Sequence, residues 1–340
     1  MSSSKTIEIP KVIFGTSALG NLFTALDPAI KLDIVSECVK HSKGKVVFDS
    51  AGKYGAGLAL ESLGKCLKEL QVKPEDVIIS NKLGWYRTEL KTPEPTFEPG
   101  VWRDLKHDAV QKISYQGIID CFEQGNELLG AYTPQLLSVH DPDEYLATAR
   151  DEAEEQNLYE DILDAYRALS DLKQKHDVSI GVGAKNWKAI ERIYKDVKLD
   201  WVMIANSMTI KSHPKPLLDF MEQLKEDGVL IINSAVFHAG FLTGGDYYDY
   251  KLVSREQNPD LFQWRDEFYK LCQEYDVSPA SACVQFALTA PGVRSIALNT
   301  TNPARVKGNV EMVYTTIPQG FWKDMKSRGL ISEDYQYLGV

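Results

Sequence analysis

Short runs of β-branched and aliphatic residues alternate along the chain with longer stretches whose apolar positions recur every three to four residues. The first kind reads as strand and the second as amphipathic helix. Strand-like runs lie at Val12–Phe14, Val46–Asp49, Val77–Asn81, Gln135–Val139, Ser179–Val182, Trp201–Ala205, Val229–Ser234 and Ser295–Leu298. Segments of helical period lie at Pro28–His41, Leu58–Leu70, Tyr115–Leu129, Leu163–His176, Trp187–Tyr194, Lys215–Glu226, Phe262–Tyr275 and Pro303–Met312. Pro28, Pro216 and Pro303 stand near helix starts, where a missing N–H costs least.

Eight strands alternating with eight helices predict an α/β chain closed into a parallel (β/α)8 barrel, the TIM-barrel class. A doubly wound sheet usually carries GxGxxG after its first strand. Here that strand runs into Gly15-Thr16-Ser17-Ala18-Leu19-Gly20, which lacks the fingerprint. No linker-like stretch or repeat divides the 340 residues, so one domain over 1–340 is expected. One connection breaks the rhythm. Residues 83–114 form a long excursion rich in proline and in Trp85, Tyr86, Arg87, Trp102 and His107, and it is expected to lie over the active site.

Composition narrows the class. Hydrophobic and charged shares of 44% and 25% fit a globular chain with a large core. No apolar run approaches the roughly 18 residues of a membrane span, and MSSSKTIEIP carries no apolar signal region. The expectation is a cytoplasmic protein without a membrane partner. Cys38, Cys66, Cys121, Cys272 and Cys283 are odd in number and form no CxxC pair, so reduced, packed thiols are expected. A net charge of −10 argues against nucleic acid. The 6 histidines show no ligand spacing, and no metal is expected.

Catalytic groups of a barrel enzyme come from the C-terminal ends of its strands. The second strand ends in Phe48-Asp49-Ser50 and continues Ala51-Gly52-Lys53-Tyr54-Gly55; the third ends at Lys82 and the fourth at His140. A free phenol titrates near about 10, too high for ready proton exchange at neutral pH. A neighbouring ammonium favours the phenolate, and a carboxylate keeps a buried lysine charged. Tyr54, Lys82 and Asp49 can play those parts, while His140 orients the reacting oxygen. Each residue also has an ordinary reading, as a loop cap, a core aromatic, a surface charge and a satisfied histidine. Those readings require four accidents to converge on one end of the barrel.

These residues resemble the tetrad of the aldo-keto reductases, and the likeness covers nearly the whole chain. Phe14-Gly15-Thr16-Ser17-Ala18-Leu19-Gly20 resembles the family's Gly-Thr…Leu-Gly segment, and Phe48–Gly55 its FDTAxxYG signature with Ser50 for Thr. Finer features resemble the aldose 1-dehydrogenase branch of L-fucose, D-threo-aldose and L-galactose dehydrogenases. They are Val139-His140-Asp141-Pro142-Asp143, Ser114-Tyr115-Gln116-Gly117-Ile118, Gly181–Trp187 and the Ser278–Leu288 helix. The resemblance implies oxidation of a sugar's C1 to the lactone, with Tyr54 as base, Lys82 and Asp49 behind it and His140 positioning the hydroxyl. The same groups run backwards in reduction.

The resemblance also implies NAD or NADP as cofactor. Asn186 and Asn206 would hold the nicotinamide amide. Phe237, His238, Gly240 and Leu242 would run beneath the pyrophosphate, where glycine permits close approach. Gly15, Thr16 and Ser17 line the first strand end, and Asn299, Thr300, Thr301, Arg305 and Asn309 the adenosine side. The family's usual stacking Tyr corresponds to Ser234, a departure from the family pattern. Its NADP-binding Lys corresponds to the uncharged Asn299, which leans the expectation toward NAD. One charge-assisted contact is worth about 1.5–3 kcal/mol.

For a small-molecule substrate, expected to be a sugar such as L-fucose, L-galactose or D-arabinose, Trp85, Tyr86 and Trp102 offer stacking faces. Glu89, Arg87 and His107 offer partners for hydroxyls. A pyridoxal-like or aromatic aldehyde would use the same aromatics. The rivals are a general NAD(P)H-dependent aldehyde or ketone reductase and a noncatalytic nicotinamide-binding regulatory subunit. Oligomeric state is not legible.

Overall fold

The computed structural model describes residues 8–339. Residues 1–7 of the N-terminal segment read above for a signal region lie outside them. The eight barrel strands are β1 (Val12–Gly15), β2 (Val46–Ala51), β3 (Val77–Leu83), β4 (Leu136–His140), β5 (Ser179–Ala184), β6 (Trp201–Ala205), β7 (Leu230–Ser234) and β8 (Val293–Leu298). They close into a barrel in the order β1-β8-β7-β6-β5-β4-β3-β2. Neighbouring strands pair in parallel: Gly15 faces Asp49, Asp49 faces Ser80, Ala51 and Ser138 each face Lys82, and Ala205 faces Ser234. Every residue of β2 and β3 is buried. That explains why their sequences read as continuous apolar runs rather than as alternation.

By internal contacts the chain forms two compact units. One runs to His140 and takes in Thr148–Gly181 and Ala297–Lys307; the other comprises Asp141–Ala147, Val182–Ile296 and the chain from Gly308. In the first, Val47, Leu63, Leu67, Ile79, Ile118, Leu137 and Leu169 have no exposed surface. In the second, Ile204, Met221, Leu224, Phe268, Phe286 and Phe321 are equally buried. All five cysteines are free and buried, and burial pushes the Cys66 and Cys121 thiols up to about 11 and Cys272 to about 12.

Most helices start where the sequence places them, for visible reasons. Ser114 caps Tyr115–Leu129 by accepting from the Gly117 N–H, and Ser278 caps Pro279–Thr289 through the Ser281 N–H. Three expectations are corrected. The segment read as Leu163–His176 is a helix over Glu152–Lys175, capped by Asp151 and opened by Glu152, Glu154 and Glu155. Its charged first turns hide the apolar period but suit the positive helix start. Pro303–Met312 divides into a 3-10 turn, Pro303–Arg305, and a helix, Val306–Met312. The excursion after β3, read only as a long loop, holds an antiparallel hairpin of Trp85–Glu89 with His107–Gln111. The helices Pro142–Leu146, Pro279–Thr289 and Gln319–Ser327 lie outside the eight predicted from periodicity.

Candidate active site

The ends of β2, β3 and β4 carry the candidate chemistry of the first unit. Alternation along β3 puts Ser80 and Lys82 on one face, and the register puts that face beside Asp49. Asp49 Oδ1 accepts from Ser80 Oγ at 3.1 Å, and Asp49 Oδ2 accepts from Lys82 Nζ at 2.5 Å. Both charges are nearly sequestered from solvent, at 4% exposure each. A pair this buried holds only because each charge compensates the other and further hydrogen bonds satisfy what remains. The Asp49 carbonyl in turn accepts from the N–H and the Oγ1 of Thr16, both at 3.0 Å. That fixes the backbone beneath the carboxylate.

The turn after β2 then presents Tyr54, half-buried, to this pair. Lys82 Nζ lies 4.7 Å from the Tyr54 ring centroid. The buried His140, last residue of β4, meets the same ring edge-on, with centroids 5.5 Å apart and planes at 82°. The structure thus brings Asp49, Lys82, Tyr54 and His140 into one group.

The hairpin excursion closes on that group. Trp102 packs on Tyr54, ring centroids 5.9 Å apart, and an apolar cluster joins it to Ala56, Phe97 and Ala109 with Trp85 against its flank. The segment is tied at several points. Leu22 bridges to Trp102, Asn21 donates through Nδ2 to the Arg103 carbonyl, and the Thr96 N–H and hydroxyl both bind the Asp108 carboxylate. Burial raises the Asp108 pKa, but the hydrogen bonds from Thr96 and Ala109 outweigh it and hold the carboxyl below the usual range.

Of the residues read as substrate contacts, Trp102 and Trp85 stand by Tyr54 or its aromatic cluster. Tyr86 is not brought there. It occupies the opposite face of the hairpin from Trp85, beneath Lys112 Nζ at 4.3 Å. His107 pairs with Glu89 at the hairpin end away from Trp85. Arg87 is engaged structurally, donating to the Ala56 carbonyl at 2.6 Å and to Glu61 at 2.9 Å.

The nucleotide-side candidates of the first unit lie on the β1 end and the segment after β8. Asn299 donates through Nδ2 to Ser17 Oγ at 2.7 Å, and a Cβ on Gly15 would sit 3.3 Å from Asn299 Cβ. Thr300 and Asn302 exchange hydrogen bonds, and Asn302 caps the turn that carries the exposed Arg305. Thr301 is exposed beside them.

In the second unit, Asn186 caps the helix Trp187–Asp196 through the Lys188 N–H. Asp143 positions it, accepting from the Lys185 and Asn186 N–H groups at 3.1 and 2.8 Å. Burial pushes the Asp143 carboxyl up. Asn206 follows β6 with φ +59°. Its buried Oδ1 has no hydrogen-bond partner and the residue lines a cavity of about 340 Å³ with Lys185, Ser207 and Tyr250. A buried amide oxygen without a partner, on a residue that lines a cavity, fits a carboxamide donor such as a nicotinamide's.

After β7, Gly240 takes φ +94° and Leu242 is buried, its N–H donating to the Phe237 carbonyl. His238 bonds Thr209 at 2.7 Å and Asp249 at 2.6 Å and stacks on Tyr248, so its side chain braces this loop. Asn309 is half-buried in Val306–Met312.

Sequence reasoning missed Asp143, although it quoted the VHDPD stretch that contains it. It also missed Arg265, whose guanidinium binds the Phe241 and Gly245 carbonyls and stacks on Phe241. A cation inside an amphipathic helix gives no local sign of such a role. Among the described residues no group of three or more His, Cys, Asp or Glu could hold a metal, and no helix is long and apolar enough to cross a membrane.

Residues 11–328 match the Aldo/keto reductase family, and the chain belongs to it. The class is that of nicotinamide-dependent oxidoreductases acting on CH–OH and aldehyde groups. The chain is similar to a pyridoxal 4-dehydrogenase of Microbacterium luteolum, at 27% identity over 94% of this chain and 93% of the relative. It is also similar to a D-threo-aldose 1-dehydrogenase of a Pseudomonas species, at 27% identity over 96% and 95%. Among solved structures, a glycerol dehydrogenase from Gluconobacter oxydans matches with TM-score 0.68, at 17% identity over 95% of this chain and 93% of that one, a likeness of fold.

Proposed function

We propose that the protein is an aldose 1-dehydrogenase-type enzyme that oxidises C1 of a sugar hemiacetal to the lactone, with Tyr54, Lys82, Asp49 and His140 as its catalytic group. The observation that carries this reading is the buried Lys82–Asp49 pair under the Tyr54 ring with His140 at its edge. Bound NAD or NADP supplies the acceptor for the C1 hydride. Asn206 and Asn186 would hold its carboxamide, and the turns through Gly240 and Leu242 and through Thr300–Arg305 its phosphates and adenosine. Gly15, Thr16, Ser17 and Asn309 would complete the site. The uncharged Asn299, already bonded to Ser17, favours NAD.

In the oxidative direction Tyr54, as phenolate, takes the proton of the anomeric hydroxyl while the C1–H bond breaks and the C=O bond forms. Lys82 Nζ, held by Asp49, lies against the Tyr54 ring and stabilises negative charge there. His140 donates or accepts at the anomeric oxygen and holds it toward Tyr54. In reduction the Tyr54 hydroxyl returns the proton. Trp102, with Trp85 behind it, excludes water from the phenol and offers an apolar face to a sugar ring.

The same aromatic wall favours a second reading, an aromatic or pyridoxal-like substrate stacking on Trp102. The relative of that activity supports it. A panel of L-fucose, L-galactose, D-arabinose, pyridoxal and simple aldehydes, each with NAD(H) and NADP(H), tests both by absorbance of the reduced nicotinamide. Lactone formed from an aldose supports the first reading. Turnover confined to aldehydes replaces it, and silence across the panel removes both.

A further inference from the structure

We infer that Glu98 is a positioning residue that sets the substrate-facing wall, by spanning Lys53 on the Tyr54 turn and Trp102 on the excursion. This rests on the reading of Tyr54 as the proton-transfer group. One carboxylate oxygen of Glu98 lies 2.8 Å from Lys53 Nζ, and the other accepts from the Trp102 indole N–H at 2.7 Å. Lys53 is buried and is the residue immediately before Tyr54; its ammonium also faces the Trp85 ring at 5.5 Å. Trp102 in turn packs on Tyr54. A closed path therefore runs from Tyr54 through Lys53, Glu98 and Trp102 back to Tyr54, although Lys53 and Glu98 are far apart in sequence.

The backbone supports the assignment. Glu98 adopts φ +45°, in the left-handed region that a non-glycine residue avoids, and Gly100 follows at φ +75°. Such strain persists where the surroundings over-determine it and concentrates at ligand clamps. Here the two-sided grip on the carboxylate supplies that determination. An indole held by its N–H cannot rotate away from the phenol, so the ring face offered to a substrate is fixed before binding. The Lys53 ammonium, 2.8 Å from the other carboxylate oxygen, keeps the acceptor aimed. Without the bracket, Trp102 would still be apolar and enclosed, but its plane would no longer be set.

The experiment compares wild type with Glu98→Gln, Glu98→Ala, Trp102→Phe and the Glu98→Ala/Trp102→Phe double variant. Each is measured for kcat and KM on the best substrate of the panel, for cofactor Kd by fluorescence titration, and for amide hydrogen exchange across residues 93–106. Loss of orientation alone raises substrate KM about fivefold or more in Glu98→Ala, with kcat within about twofold and cofactor Kd unchanged. Glu98→Gln, which keeps an acceptor for the indole but loses the ion pair, falls between. Glu98→Ala and Trp102→Phe are non-additive, because both remove the same bond.

Wild-type KM in Glu98→Ala, or full additivity of the pair, overturns the inference. So does a parallel fall in kcat and cofactor affinity, which marks general loosening. If wild type turns over nothing, the oxidoreductase reading fails on its own. Exchange then decides the bracket: faster exchange at 98–106 in Glu98→Ala upholds it and unchanged protection overturns it.

Discussion

Gly55 stands against the carbonyl of Gly20. A Cβ on Gly55 would lie 2.3 Å from that oxygen, and Gly55 has φ +61°. A Cβ on Gly20 would lie 2.8 Å from the Tyr54 carbonyl carbon and oxygen. The two glycine-bearing motifs of the sequence are therefore halves of one contact, which seats the Tyr54 turn on the segment after β1. Gly55→Ala adds both a clash with backbone and a disfavoured φ, and the loss is expected at about 2 kcal/mol or more. Thermal unfolding and turnover check this: both fall, and a variant with unchanged Tm and kcat would contradict the contact.

Removing one member of the Asp49–Lys82 pair leaves a buried charge without compensation. Lys82→Met is expected to destabilise by about 3–5 kcal/mol. The double variant Asp49→Asn/Lys82→Met regains much of that stability, since no charge is left buried, but no turnover. Denaturant unfolding of the three proteins tests this; a double variant no more stable than Lys82→Met would refute it.

Much of this frame was legible before the structure. Parallel strands buried on both faces announce themselves as apolar runs, and Trp201–Ala205, Pro28–His41, Tyr115–Leu129 and Lys215–Glu226 fall where the pattern put them. Asp49, Lys82 and His140 were readable because a strand end is a position a pattern can find. The hairpin Trp85–Glu89 with His107–Gln111 was not, because its pairing is decided by partners across a long intervening segment. Pro279–Thr289 was visible only through resemblance, since burial of Ser281, Ala282, Cys283, Val284, Phe286 and Ala287 leaves little polar face to give a period. Lys53 and Glu98 look like solvated charges in sequence, and only the fold sets them against each other.

Asn206 tests the nicotinamide side. Its Oδ1 is already buried without a partner, so truncation gives up no hydrogen bond at that atom in the free protein. Asn206→Ala is expected to lower Tm modestly, because alanine tolerates φ +59° less well than asparagine, and to weaken NAD(P) binding several-fold, the scale of one hydrogen bond of about 0.5–1.5 kcal/mol. Titration of cofactor fluorescence reads this. Unaltered affinity would place the carboxamide elsewhere.

His213 predicts an acid limb in stability. The Ser332 N–H donates to its Nε2 at 3.0 Å, so the hydrogen sits on Nδ1, which faces the Thr209 carbonyl at 3.1 Å. Burial is the main cause that lowers its pKa, with Lys211 adding to it and the Thr209 bond opposing. The folded form thus prefers the neutral ring, and below about 6.5 the unfolded chain binds the proton more readily. This contribution is complete above that pH, starts to be lost there and is gone once pH has fallen through the lower folded-state value. Tm of wild type should drop more steeply between pH 7 and pH 5 than that of His213→Gln; parallel curves would count against the tautomer assigned here.

The most direct measurement is single-turnover chemistry in Tyr54→Phe, made alongside cofactor titration. The ring, its packing on Trp102 and the Lys82–Asp49 pair all remain, and only the hydroxyl is lost. The account predicts hydride transfer slowed by about 10²–10⁴-fold with NAD(P) affinity unchanged. A Tyr54→Phe protein that reduces or oxidises its substrate at the wild-type rate would contradict it.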